Sequence, residues 1–381
     1  MKTYLVIFLL FFLNLLSQTQ PYIYVRILSN QQILRFTLTV TSGKYQLLSN
    51  TDTLFSLSKD ESITILARKN KLLVVKQKDT LYLDTAISIV GKGFVNIFEI
   101  TTEKIHRFYD DHLIVKNKKN TLWLLNQVKI DNYIASVVES EAGVGKEAEF
   151  LKAHTIITRT YTLKNINKHA DEGFNLCDQT HCQVYKGRCT RPDILIAAMQ
   201  THDLVLVDNA NQLALSVYHS NSGGETMSAS QLWGKNLPYL LQKKDSFSIG
   251  QRNYTWEKRI NKQEWLMYLK KNYNYPIDNP DKAKLVLSFS QPSRKTYLVE
   301  NIPLKKIRED WKLRSTFFDI IEEDETVLFK GKGFGHGVGF SQEGAIQMAK
   351  MGFTFEEILQ FYYPDTKIAR LDKLNHNIFS P

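Results

Sequence analysis

The chain has 381 residues, of which 43% are hydrophobic and 23% are charged. This composition is typical of a folded protein, excludes a disordered or collagen-like chain, and the length is enough for two or three domains. The formal net charge of +10 suits either an anionic partner or solubility alone.

The first twenty residues have the layout of a secretory signal peptide. Lys2 precedes an apolar run over residues 4–16, and small and polar residues follow over 17–20. The run is shorter than the roughly 20 apolar residues of a bilayer span. We therefore expect cleavage near residues 17–20, with an uncleaved membrane anchor as the alternative. The mature protein would be exported to the periplasm, the cell envelope or the medium, where nucleic acid is not an expected partner.

Residues 21–104 form a β-rich region, and the strand pattern continues to about residue 128. Short runs of β-branched and aromatic residues alternate with Asn, Asp, Gly and Lys turns, which is typical of antiparallel strands. The predicted strands are "YIYVRIL", "ILRFTLTV", "SITILAR", "KLLVVKQ", "TLYLDT", "FVNIFEI", "HLIVKN" and "TLWLLNQV".

The chain then alternates helices and strands. Apolar spacing predicts a helix over residues 131–141 that is capped by Asp131, and a longer buried helix over about 146–165. Further predicted elements are helices over 192–202 and 262–271, strands at "LVLVDN" and "LALSVYHS", and two C-terminal helices capped by Ser341 and Thr354. The pattern predicts the α+β class, with a β-rich N-terminal lobe followed by a mixed domain over 105–370.

Glycine occupies every second position of "GKGFGHGVG", residues 331–339. The run contains neither a P-loop nor the dinucleotide fingerprint. In an extended segment all five glycines would lie on one bare face. That face predicts either close packing inside a sheet or a flat, saccharide-like ligand against the backbone. His336 alone is more often a core histidine than a catalyst.

Two glutamates, Glu139 and Glu141, end the first helix and precede the "GVG" turn. A carboxyl group pressed against apolar residues at such a corner has a raised pKa and can donate a proton near neutrality. The bland interpretation is a surface carboxylate. Arg159 lies opposite the apolar stripe of the next helix, a position that ordinarily faces solvent.

The segment "NLCDQTHCQVYKGRC" brings Cys177, His181 and Cys182 within six residues, with Cys189 and His169 nearby. Two thiolates and an imidazole so close together suit Zn²⁺. An exported protein could equally form a disulfide, although three cysteines leave one unpaired. Both interpretations stay open.

The segment "YHSNSGGET", residues 218–226, follows a predicted core strand. It does not match G-x-S-x-G, so Ser222 is not predicted to be a nucleophile. A ligand-lining loop is the better interpretation.

These four stretches, in this order, closely resemble the stage II sporulation protein D (SpoIID/LytB) family, and the resemblance runs from Ile105 to Asp365. That family acts on bacterial peptidoglycan. Its studied members look like lytic transglycosylases that cut glycan strands stripped of stem peptides, and others are enhancers of N-acetylmuramoyl-L-alanine amidases. A zinc-peptidase reading ranks last, because H-E-x-x-H is absent from the sequence.

The resemblance implies a lytic transglycosylase that cleaves MurNAc–GlcNAc linkages with a single glutamate as general acid and base. Glu141 matches the catalytic glutamate, although the family's Glu-Met-Pro is Glu141-Ala142-Gly143 here, and Arg159 matches the helix arginine. A non-catalytic amidase enhancer is the alternative, so the implied partners are glycan strands and a cell-wall amidase. The implied substrate-binding residues are Tyr218, Ser220, Gly223, Gly224, His336, Ser341 and Gln342. The implied ligands of a structural zinc are Cys177, His181 and Cys182, with His169 as the fourth.

Overall fold

The computed structural model describes residues 21–143 and 145–374 in two compact units. Unit 1 contains residues 21–143 and 165–202, and unit 2 contains residues 145–164 and 203–374. The predicted signal peptide, residues 1–20, lies outside the described residues. Among those described, none belongs to a helix that is long and apolar enough to cross a membrane.

Unit 1 is built on two antiparallel sheets. Its strands are β1 Tyr22–Ile27, β2 Arg35–Ser42, β3 Tyr45–Ser49, β4 Asp52–Leu57, β5 Ser62–Arg68, β6 Lys71–Lys76, β7 Asp79–Leu83, β8 Ala86–Gly91, β9 Ile97–Thr101, β10 His106–Asp110, β11 His112–Lys118, β12 Thr121–Lys129 and β13 Leu176–Cys177. One sheet has the order β13-β1-β12-β11-β8-β3-β4, with β1 and β13 parallel, and the other has the order β10-β9-β2-β5-β6-β7. Alternate residues are buried along most strands, such as Ile23, Val25 and Ile27 in β1.

The eight strands predicted for this region are confirmed, and β3, β4, β8 and β10 are additional. The hairpin of β9 and β10 lies across the boundary predicted between residues 104 and 105. That boundary stays a prediction.

Two helices complete unit 1: α1 Ile130–Glu141 and α3 Pro192–Gln200, which pack against each other. The predicted cap at Asp131 is wrong, because Asp131 lies in the first turn of α1 and its carboxylate contacts His202 Nδ1 at 2.6 Å. The N-cap is Lys129, whose side chain makes no capping bond.

Unit 2 contains α2 Ala148–Lys164, the predicted long helix, with most of its girth buried. Its remaining helices are α4 Ala229–Trp233, α5 Lys262–Tyr273, α6 Pro280–Leu287, α7 Leu304–Asp310, α8 Gln342–Lys350 and α9 Phe355–Tyr362. Its strands are β14 Leu204–Val207, β15 Tyr218–His219, β16 Thr255–Asn261, β17 Phe318–Glu322, β18 Thr326–Lys332, β19 Phe340–Ser341 and β20 Lys367–Arg370.

Helices α5, α6 and α7 share an apolar core with the sheet β16-β18-β17. The core includes Trp265 of α5, which is fully buried. The predicted caps of the last two helices are confirmed. The Ser341 hydroxyl accepts from the Gly344 N–H, and Thr354 forms a capping box with Glu357.

The β-rich N-terminal region followed by mixed helices and strands confirms the α+β class.

The glycine run does not form the expected extended segment with one bare face. Strand β18 ends at Lys332, and Gly333, Gly335, Gly337 and Gly339 have φ values of 79°, 116°, 82° and 71°. These positive values turn the chain at every second residue, so no continuous glycine face exists. A Cβ on Gly339 would overlap the Val217 carbonyl oxygen. Here the glycines allow close packing of one backbone on another.

Replacing Gly339 by alanine should destabilise unit 2 more than the same change at Gly234. Both glycines have nearly equal φ, 71° and 68°, which costs an alanine about 1–2 kcal/mol. Only at Gly339 does the new methyl group meet a backbone atom, and overpacking adds about 1–3 kcal/mol. Denaturant unfolding of the two variants measures the difference. Equal losses would contradict the packing role.

Candidate active site and metal centre

Glu141 is the last residue of α1, and its side chain is half-buried. Its Oε1 accepts a hydrogen bond of 2.9 Å from the Val184 N–H. Burial raises the pKa of the Glu141 carboxyl, while this hydrogen bond and the Lys186 charge act in the opposite direction. The net raised pKa is what a proton donor requires.

Helix α1 also holds the rest of the segment that carries Val184. Glu139 accepts from the Thr190 N–H at 2.8 Å and from the Thr190 hydroxyl at 2.7 Å. The Ser136 hydroxyl donates to the Gly187 carbonyl. The two glutamates of this helix therefore have different surroundings. Glu139 anchors the segment through Thr190, whereas Glu141 accepts a hydrogen bond from the Val184 N–H.

Four potential metal ligands converge in unit 1: His169, Cys177, His181 and Cys182, here called the Cys/His cluster. One donor atom of each lies within 4.8 Å of the other three. Cys182 Sγ is 3.4 Å from His169 Nε2 and 3.8 Å from His181 Nδ1, and Cys177 Sγ is 3.8 Å from the same Nδ1. Tetrahedral Zn²⁺ with Zn–S bonds of about 2.3 Å and Zn–N bonds of about 2.0 Å separates its ligands by about 3.3–3.8 Å.

The surroundings of the Cys/His cluster also fit a metal. The second ring nitrogen of His169 lies 2.6 Å from a Glu172 carboxylate oxygen, the arrangement that orients zinc-binding histidines. A hydrogen bond with Cys182 lowers the pKa of the Cys177 thiol. All three cysteines, which are described residues, are free thiols in this structure. The donor set therefore fits Zn²⁺.

The Cys/His cluster is continuous with the Glu141 contact. Cys182 lies two residues before Val184, whose N–H reaches Glu141. The other side of the cluster is tied to the sheet, because Asp178 accepts from the Leu28 N–H at 2.7 Å and the Ser29 hydroxyl at 2.6 Å. The residues of the cluster thus lie on the N-terminal side of the segment that meets Glu141.

Arg159 lies in α2 of unit 2, and the expectation that it faces solvent is wrong. Its side chain is only 1% exposed, and Nη1 donates to the Leu204 carbonyl at 3.1 Å. Strand β14, which carries Leu204, packs directly on α2. The arginine lies among packed elements because helix α2 is buried on the face opposite its apolar stripe as well.

The predicted substrate-binding residues all lie in unit 2, around the pair β15 and β19. The His336 ring donates through Nε2 to the Tyr218 carbonyl at 2.9 Å, and its Nδ1 accepts from Val338 N–H at 3.1 Å. Burial lowers the pKa of His336 to about 4, so the ring is neutral at pH 7. Both ring nitrogens support the local fold.

The remaining predicted binding residues differ in exposure. Ser220 and Gly224 are half-buried, whereas Gly223, Ser341 and Gln342 are buried. Ser341 caps α8, and the Gln342 amide nitrogen lies 3.1 Å from His154 Nε2.

A buried carboxylate, Asp245, organises this region and was not singled out from the sequence. It accepts from the Ser222 hydroxyl at 2.7 Å and from the Tyr362 hydroxyl at 3.2 Å. Ser222 and Tyr362 are distant from it in sequence, and the Ser248 hydroxyl, three residues on, also donates to it, but no motif singled it out. Glu172, by contrast, could have been found, because it follows His169 by three residues.

Comparison with known proteins finds similarity in this part of the chain. A family described as "Stage II sporulation protein" (SpoIID) matches residues 118–207, a segment that contains Glu141, Arg159 and the Cys/His cluster. The chain is 27% identical to stage II sporulation protein D of Bacillus subtilis, over 65% of this chain and 76% of that protein. It is 26% identical to the amidase enhancer of Bacillus subtilis, over 62% of this chain but only 40% of that protein.

A third relative is similar along nearly its whole length. An uncharacterized protein of Brachyspira hyodysenteriae is 26% identical, over 91% of this chain and 95% of that protein. The described site places a half-buried carboxyl group, Glu141, close in the chain to the Cys/His cluster. The family match over residues 118–207 and the named relatives support the SpoIID/LytB family for this chain.

Proposed function

We propose that this chain is an exported, peptidoglycan-active protein that cleaves the MurNAc–GlcNAc linkage of denuded glycan strands as a lytic transglycosylase. The single observation that carries the proposal is Glu141, a half-buried carboxyl group of raised pKa at the end of α1. The family assignment and the cell-wall relatives support a role at the cell wall.

One carboxyl group is sufficient for the proposed reaction. The protonated Glu141 donates its proton to the glycosidic oxygen, and the bond from that oxygen to the muramyl C1 breaks through an oxocarbenium-like state. The muramyl C6 hydroxyl then attacks C1 and gives its proton to the Glu141 carboxylate. The product is a 1,6-anhydro ring, and the acid is regenerated without an activated water.

The other predicted residues have supporting roles in this proposal. Arg159, being buried, acts through the packing of α2 on β14 rather than by touching a sugar. Tyr218, Ser220, Gly224 and His336 retain some exposure and are proposed to contact glycan. The buried members of the predicted set, Gly223, Ser341 and Gln342, hold these residues in place.

The Cys/His cluster is proposed to bind a structural zinc through His169, Cys177, His181 and Cys182. Four protein ligands close the coordination sphere, so zinc supplies folding energy and no chemistry. Its proposed effect is to fix the segment from Cys182 to Val184, whose N–H meets Glu141.

The second candidate is a non-catalytic enhancer of a cell-wall amidase. The relative named amidase enhancer favours it, although this chain covers only 40% of that protein. The two candidates differ in whether the protein alone cuts glycan.

Glu141→Gln should abolish glycan cleavage while leaving glycan binding intact. General acid–base catalysis contributes about 10²–10⁴-fold, and glutamine keeps the shape of the side chain without a transferable proton. The measurement is mass spectrometry of anhydromuramyl products from glycan with and without stem peptides. Glu139→Gln is the matched control on the same helix and should retain cleavage, because the glutamine oxygen still accepts from Thr190 and Glu139 takes no part in the proposed proton transfer.

Three results would change the assignment. Products that persist with Glu141→Gln would remove Glu141 as the acid. Loss of cleavage in both glutamine variants would indicate a structural effect of altering this helix end. Intact binding without cleavage by the unaltered protein would favour the amidase enhancer.

The pH profile of cleavage should report the raised pKa of Glu141. The reaction starts from the protonated carboxyl, so kcat/KM should fall as pH rises through a midpoint above the ordinary glutamate value of 4.5. Lys186→Met removes a charge that lowers this pKa and should move the midpoint to higher pH. A midpoint at or below 4.5, or a shift to lower pH in the lysine variant, would contradict the assignment.

Purified protein should contain about one zinc per chain, and Cys182→Ser should lose it. Cys189→Ser is the control, because Cys189 lies outside the Cys/His cluster. Elemental analysis of both variants measures the metal, and chelation should lower the melting temperature of the unaltered protein and of Cys189→Ser but not that of Cys182→Ser. Equal metal content in the two variants, or a disulfide detected by thiol titration, would overturn the zinc site.

A further inference from the structure

The connection between β8 and β9 exposes two adjacent apolar side chains. This segment, residues 92–96, is called the Phe94 loop. The Phe94 side chain is 95% exposed and the adjacent Val95 is 48% exposed. Together they form a small apolar patch that is open to a partner.

The Phe94 loop is held rigidly by its own hydrogen bonds. The Asn96 side chain both donates to the Gly93 carbonyl and accepts from the Gly93 N–H, each at 2.7 Å. The Asn96 carbonyl accepts from the Asp111 N–H at 2.9 Å. These hydrogen bonds therefore fix the backbone of the loop that carries the exposed Phe94 side chain.

The charge around Phe94 is positive. Lys92 and Lys44 are exposed, and the Lys129 ammonium lies 6.0 Å from the centre of the Phe94 ring. The neighbouring carboxylate, Asp111, is only 3% exposed and lies 4.0 Å from that ammonium. The exposed Lys92 thus lies in the same loop as Phe94, Lys44 is its backbone hydrogen-bond partner, and the half-buried Lys129 approaches the ring.

The N-terminal residues join the described chain at the same end of the sheet. Tyr22 pairs with Lys129 in β1 and β12, and the Pro21 carbonyl accepts from the Ile130 N–H at 3.1 Å. The apolar run over residues 4–16 ends five residues before Pro21. Five residues span at most about 18 Å, so in an uncleaved chain residue 16 is tethered within about 18 Å of Pro21.

We propose that the Phe94 loop docks on an anionic phospholipid bilayer. Aromatic rings favour the headgroup level, and each lysine near an anionic surface contributes about 1 kcal/mol. In the uncleaved alternative given above, a bilayer that holds the apolar run lies within reach of the sheet end that carries the loop. The inference goes beyond the proposed glycan cleavage and does not depend on Glu141.

The test places a fluorescent reporter in the loop of the full chain. Phe94→Trp is reconstituted with vesicles of phosphatidylcholine and phosphatidylglycerol that carry brominated acyl chains, and its added emission is compared with that of the unaltered chain. The control is Tyr82→Trp, because Tyr82 is an aromatic residue of unit 1 that is 62% exposed in β7. Both variants share the same N-terminal residues.

Quenching of the reporter should be several-fold stronger for Phe94→Trp than for Tyr82→Trp. Adding Lys92→Ala to the Phe94→Trp chain should shift the docked-to-undocked ratio about fivefold toward the undocked state. Adding Glu141→Gln should leave the quenching unchanged, which separates this inference from the proposed function.

Three outcomes would overturn the proposal. The first is equal quenching of the two reporters. The second is the same quenching in vesicles without phosphatidylglycerol. The third is a loss of binding to purified glycan by Phe94→Ser, which would make the loop a platform for stacking sugars.

Discussion

The candidate site depends on the hydrogen bond from the Val184 N–H to the Glu141 carboxylate. A carboxyl group that is removed from water has a raised pKa, but only a fixed partner gives it a defined direction. Helix α1 supplies the glutamate, and an irregular segment supplies the N–H. The segment keeps its shape because Glu139 holds Thr190 and because the Cys/His cluster lies just before Val184.

Irregular backbone is stabilised by different means in the two units. In unit 1 polar side chains and the proposed zinc ligands replace the hydrogen-bond ladder that a sheet would provide. In unit 2 the glycine run packs against neighbouring backbone, and the buried Asp245 collects hydroxyl donors from distant segments. In both units, residues near the predicted site residues stabilise a loop: Glu139 does so in unit 1 and Asp245 in unit 2.

Much of the fold could be predicted because the spacing of apolar residues along the chain indicates strands and helices. Alternating residues identified eight strands of unit 1, and the buried girth of α2 followed from its apolar spacing. Strands such as β4, with mostly exposed residues, lack this alternation and were missed. The Asp131 cap failed because a carboxylate inside the first turn and one at the cap give the same local pattern.

The sequence by itself determined the class of fold and grouped Cys177, His181 and Cys182, with His169 nearby, because spacing along the chain carries that information. The resemblance to a known family selected Glu141 as the acid and His169 as the fourth ligand, and the metal stays a prediction. Only the tertiary structure decided that Glu141 faces a backbone N–H and that Arg159 is buried. It also decided that the glycine run turns rather than extends. These features arise from packing between segments distant in sequence, and burial, which sets the pKa of a carboxyl group, exists only once those segments meet.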